Sequence, residues 1–173
     1  MKKTDPEEIR SYLRELGGQL QRPVQVFVGG SVALILPGHL SRATDDIDVV
    51  NEVPSEIRSQ HQLLDQLESR YGLHLGHVQS HYFPNGWENR VHSLAPFGRL
   101  QVFLVDEYDV LLTKLFSARD RDLDDLRAAL PLLEKETLVR RLKEYARPFL
   151  DVSHLRTYAE KNWYILYGEP LPS

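Results

Sequence analysis

Residues 24–50 constrain the fold more than any other part of the chain. Val24 to Val28 is a short run of β formers that stops at Gly29-Gly30-Ser31. An apolar segment, Val32 to Leu36, follows and is ended by Pro37-Gly38. Asp46-Ile47-Asp48 then runs into Val49-Val50. The pattern predicts strand, tight glycine turn, short helix, loop and strand. That order belongs to an α/β (α+β) domain in which helices cover a small sheet.

The same stretch carries candidate chemistry. Two glycines after a strand let the backbone turn sharply and let another group approach closely. Gly29, Gly30 and Ser31, with the free N–H groups of the following helix, would cradle an anion such as phosphate. Strand side chains alternate faces, so Asp46 and Asp48 share one face and Ile47 takes the other. Two neighbouring carboxylates repel unless a hard cation neutralises them, and Mg²⁺ takes oxygen ligands of this kind. Taken singly, Gly-Gly is a turn and Asp-x-Asp a solvated strand end. In this order they form a minimal kit for phosphoryl or nucleotidyl transfer.

The 173 residues suffice for a sizeable core. The net charge of −4 makes the whole protein no electrostatic magnet for nucleic acid. The absence of cysteine excludes disulfides and thiolate zinc sites and fits a reducing cytoplasm, the expected compartment. No apolar run follows Lys2-Lys3 to suggest a signal peptide, and no stretch nears the ~18 apolar residues of a membrane span. No membrane partner is expected.

Around the central stretch, Asp5-Pro6 with Glu8 predicts a helix start with a capping box, and Gly17-Gly18 its end. Pro54 opens a second helix, expected to run to about Arg70. Strands are predicted near 73–78, 90–94 and 100–105. His74, His77 and His81 would share a face only on a helix, so in this β-rich region they predict no joint metal site; His77 and His81 stay open as pocket residues. Trp87 reads as a buried turn anchor, and Arg90 is open between a turn and a phosphate contact. Asp106 reads as the N-cap and Asp109 as a first-turn acid of a helix with Leu111, Leu115 and Ala118 on its apolar stripe. Lys114 lies on that stripe, where an unpaired charge is costly, so an acid or a phosphate is its expected partner. Asp125 reads as the i, i+4 brace of Arg121. Beyond Pro131, Arg140, Lys143 and Arg147 form one basic face, and a last helix spans about 152–167. The expected organisation is a core over residues 1–130 and a helical extension, 131–173, on the same domain.

Gly29-Gly30-Ser31 followed by Asp46-Ile47-Asp48 resembles the signature of the polymerase-beta-like nucleotidyltransferase superfamily. The lead-in Arg42-Ala43-Thr44-Asp45 is similar to that of its small bacterial members, among them the nucleotidyltransferase toxins of type IV toxin–antitoxin pairs. A second block, Lys114 with Arg121-Asp122-Leu123-Asp124-Asp125-Leu126, strengthens the likeness. The resemblance implies a small mixed sheet flanked by helices with a helical C-terminal part. It also implies Mg²⁺-dependent transfer from a nucleoside triphosphate to a tRNA or protein acceptor, and a cognate antitoxin as partner. By the same resemblance Asp46, Asp48, Lys114 and Asp122 are catalytic, and Asp46 and Asp48 hold the metal. Gly29, Gly30, Ser31, Arg42 and Thr44 hold the nucleotide. Many such enzymes carry a third carboxylate on a later strand, and the expected position is Gln101, an amide. That implies slow or restricted transfer. The alternative is a non-catalytic nucleotide-binding or partner-binding module on the same fold.

Overall fold

The structure is a computed structural model describing residues 2–173. The chain divides into two compact units. The first runs to Ser80 and takes in Arg90–Asp106; the second comprises His81–Asn89 and Glu107–Ser173.

The first unit holds α1 (Pro6–Gly18), β1 (Val24–Gly29), α2 (Val32–Ile35), β2 (Asp46–Val50), α3 (Ser55–Arg58), α4 (His61–Tyr71), β3 (His74–Val78), β4 (His92–Ser93) and β5 (Leu100–Leu104). The strands form one mixed sheet in the order β3-β2-β1-β5-β4. β1 pairs antiparallel to β2 and parallel to β5; β2 and β3 are parallel, and β4 and β5 antiparallel. One face is the core side. Val24, Val26, Val28, Ile47, Val49, Leu100, Val102 and Leu104 alternate onto it and are buried. α1 packs on β5 and α4, and α4 on β3. The opposite face carries Asp46 and Asp48, together with Phe27 and Phe103, half-buried and stacked at 5.2 Å.

α1 begins at the expected cap and proline, Asp5 accepting from the Glu7 N–H at 2.9 Å with Pro6 in the first turn, while the Glu8 carboxylate lies 4.0 Å from Lys2 Nζ. Its two glycines differ in a way the sequence does not show. A Cβ on Gly17 would lie 1.7 Å from the Phe97 carbonyl oxygen and 3.1 Å from Leu100 Cβ, whereas one on Gly18 meets nothing within 4 Å. Gly17 is therefore where helix and sheet backbones touch. Gly17→Ala is expected to cost about 3 kcal/mol, the upper end of overpacking. Gly18→Ala is expected to stabilise by up to ~1 kcal/mol through helix propensity. Urea denaturation of the two variants in parallel checks the contrast.

The helix expected from Pro54 to Arg70 is two helices. Gln60 leaves helical dihedrals at φ −87°, ψ 50° and separates α3 from α4. The break rephases the pieces, so that Ile57 and Leu67 are both fully buried.

The second unit holds α5 (Glu107–Leu115), α6 (Asp120–Ala129), α7 (Lys135–Tyr145), α8 (Arg147–Leu150) and α9 (Ser153–Tyr167). Trp163, fully buried, anchors α9. Asn162 donates to the Leu115 and Ser117 carbonyls at 2.9 and 3.0 Å, satisfying the end of α5. Trp87 is buried edge-on to Phe83, the anchoring role its sequence context suggests. No helix among the described residues is long and apolar enough to cross a membrane.

Candidate functional site

The β1–α2 turn and the start of β2 meet at one end of the sheet. Gly29 stands opposite Asp48 in the antiparallel register, so Asp48 shares the face of Gly29 while Ile47, fully buried, faces the core. Gly30 adopts φ 61°, in the left-handed region where other residues are strained. Its missing Cβ would lie 2.5 Å from Asp48 Oδ2. On the other flank β3 places Gly76 beside Asp48, and a Cβ there would lie 3.3 Å from Oδ1. The Asp48 carboxylate is thus clasped between two glycines, one on each side. Gly76 is a site residue that sequence reasoning misses, because only the β2–β3 register brings it to Asp48. Asp46 is exposed at the first position of β2.

Ser31 starts α2, its carbonyl accepting from Leu34 and Ile35. α2 has four residues, so it offers little of the dipole a long helix would bring to an anion. Charge comes instead from Arg42, whose guanidinium donates to Ser31 Oγ and, at 2.6 Å, to the Ala43 carbonyl. Thr44 is buried and turned inward. Its N–H donates to Thr4 Oγ1 at 2.8 Å and its hydroxyl lies 3.4 Å from the Asp46 carbonyl. Thr44 thereby fixes the lead-in to Asp46 from behind.

Gln101 does not stand beside the aspartates. β5 lies on the far side of β1, where Gln101 pairs with Gln25, and its amide donates to Ser93 Oγ and the Leu94 carbonyl at 3.0 and 2.9 Å. On the side of β2 away from β1 lies β3, and the register partner of Asp46 there is His74. The three histidines part company, as expected of a strand. His74 is on the aspartate face; His77, paired with Val49, is on the core face and lines a cavity of about 720 Å³ with His61, Arg58 and Leu75; His81 belongs to the second unit. Asp106, immediately before α5, is buried, 2.7 Å from His92 Nε2.

In the second unit Lys114 is buried, its ammonium donating to Asp122 Oδ1 at 3.1 Å and Asp125 Oδ2 at 3.0 Å. Ser117 Oγ and Arg119 Nε donate to Asp122 Oδ2 at 2.6 and 3.0 Å. Asp125, read from the sequence as a partner of Arg121, is a partner of Lys114. It is 1 % exposed, one helical turn from Asp122 on the face that meets Lys114. The i, i+3 spacing of the two acids is the signal that could have found it. Burial pushes the Asp122 carboxyl upward, but the Arg119 hydrogen bonds, the Lys114 charge and the Ser117 hydroxyl outweigh it and bring the value down to about 2. A depressed folded value means stability present at neutral pH and lost as the pH falls through about 2. Acid titration of unfolding is expected to show a contribution of about 2 kcal/mol that Asp122→Asn lacks.

The donor set on the first unit suits a divalent cation. Carboxylate oxygens match Mg²⁺, and the double glycine clasp keeps the space around Asp48 clear where side chains would fill it. A serine hydroxyl and a guanidinium stand beside them at the turn. No curated protein and no solved structure matches the chain. A family model described as "Nucleotidyltransferase of unknown function (DUF6036)" matches residues 7–164. The chain belongs to this nucleotidyltransferase family.

Proposed function

We propose that the protein is a Mg²⁺-dependent nucleotidyltransferase that moves a nucleotide from a nucleoside triphosphate onto an RNA or protein hydroxyl. The observation that carries this is Asp48 clasped between Gly30 and Gly76, beside Ser31 and Arg42. When bound, Mg²⁺ held by Asp46 and Asp48 would neutralise charge at the α-phosphate and lower the pKa of the acceptor hydroxyl. The Gly29-Gly30-Ser31 turn and Arg42 bind the β- and γ-phosphates, Arg42 as a planar donor fork. Exposed Asp46 takes the proton from the acceptor. The acceptor oxygen attacks the α-phosphorus, the bond to the bridging oxygen breaks, and pyrophosphate leaves with the electron pair. Thr44 positions Asp46. Lys114 and Asp122 fix α5 against α6.

The test is incubation with each labelled triphosphate, Mg²⁺, and either total RNA or protein. Metal-dependent labelling of one acceptor class is the expected result; none with any triphosphate overturns the proposal. A second reading, a non-catalytic nucleotide-binding module, is favoured by the engagement of Lys114 with two carboxylates of its own unit. It predicts triphosphate binding with no label transfer. The proposal extends to the toxin of a type IV pair, on the likeness of residues 42–48 and 114–126. Expression is then expected to arrest growth of a host cell with wild type and not with Asp46→Asn/Asp48→Asn.

A further inference from the structure

Between β2 and β3 the register places His74 against Asp46 and Gly76 against Asp48, so all four belong to one face of the sheet. The His74 ring leans along that face: its Cδ2 lies 3.8 Å from where a Gly76 Cβ would sit, the same point that is 3.3 Å from Asp48 Oδ1. The opposite edge of the ring faces back to α4, where Nδ1 is 3.4 Å from Glu68 Oε1. A carboxylate at Nδ1 orients the ring and leaves Nε2, the atom bonded to Cδ2, as the edge available to a metal. Nε2 therefore belongs to the edge turned toward the aspartates. Gly76 keeps the ground between imidazole and carboxylate open, and a larger residue would fill it.

We infer that His74 is a third metal ligand of this face, completing Asp46 and Asp48, with Glu68 as its positioning residue. Asp46 is exposed beside His74, so its carboxylate has room to turn onto an ion at Nε2 while Glu68 holds the ring. The inference rests on the proposed metal site and sharpens its chemistry. A set of two carboxylates and one imidazole shifts preference from Mg²⁺ toward first-row transition ions.

The probe is Mn²⁺, followed by electron paramagnetic resonance. Wild type is expected to show the ¹⁴N modulation of a directly bound imidazole. His74→Ala is expected to lose that modulation and to bind Mn²⁺ roughly 10–100-fold more weakly. Mg²⁺ affinity, measured by competition, is expected to change much less. Glu68→Gln is expected to keep the modulation and weaken Mn²⁺ binding, and Asp48→Asn to weaken both ions. Mn²⁺ bound without nitrogen modulation, or modulation that survives in His74→Ala, overturns the assignment, as does failure to bind Mn²⁺. Label transfer, scored separately, keeps the two readings apart. Nitrogen-ligated Mn²⁺ without transfer sinks the nucleotidyltransferase proposal alone, and transfer without nitrogen ligation sinks the His74 assignment alone.

Discussion

Lys114→Met is expected to lower the unfolding free energy by about 3–5 kcal/mol, the cost of stranding buried charge. The methionine fits the apolar stripe of α5 but leaves Asp122 and Asp125, 4 % and 1 % exposed, facing each other without the ammonium that both accept from. Arg119 and Ser117 still serve Asp122 after the change. At ~2–4 °C per kcal/mol for a chain of this size, the melting temperature is expected to fall by roughly 6–20 °C. Lys114→Ala is expected to fare no better, so lost activity in either variant reads first as lost structure. The triple variant Lys114→Met/Asp122→Asn/Asp125→Leu separates the two. If the stability loss comes from unpaired charge, removing both acids recovers most of it. A single variant melting within 2 °C of wild type contradicts the geometry.

Asp48→Asn is expected to reduce label transfer by roughly 10³-fold, since several kcal/mol of charge stabilisation at the α-phosphate depend on a metal-binding carboxylate. The amide keeps shape and volume, so Gly30 and Gly76 still clasp it and the fold is expected to melt within about 2 °C of wild type. Asp46→Asn, at an exposed position, is expected to cost less metal affinity than Asp48→Asn but a comparable amount of rate, because Asp46 is the proposed proton acceptor. Initial rates over a Mg²⁺ titration distinguish them: extra metal rescues the first kind of defect and not the second. Equal transfer by wild type and Asp48→Asn removes this face from the chemistry.

Local physics made the centre of the fold legible. The β1–turn–β2 pattern follows from period-two alternation and two glycines, and the start of α1 from a cap and a proline. What stayed hidden is pairing. Nothing local to Gln101 says that β5 joins the sheet on the side of β1 away from β2, and nothing near Gly76 says that its absent side chain makes room for Asp48. Gln60 hides for another reason: a residue with ordinary helix propensity leaves the helix because Ile57 and Leu67 are buried together. Asp125 is readable from its spacing to Asp122, but an acid four residues after Arg121 on a helix reads first as that arginine's surface partner, and the buried reading loses.

The parallel pairing of β1 with β5 has a consequence for synthesis. Val24 bonds beside Leu100, about 75 residues further along the chain. At ~5–20 residues per second, the β1 edge waits roughly 4–15 s on the ribosome before its partner exists. During that time Val24, Val26 and Val28 alternate along an unpaired edge, the kind of segment that recruits a strand from another chain. Arg22 and Pro23 stand immediately before it, a charge and a residue without an N–H, the residue types that discourage such pairing. Replacing both with threonine would leave the finished sheet nearly unchanged and lower the soluble yield.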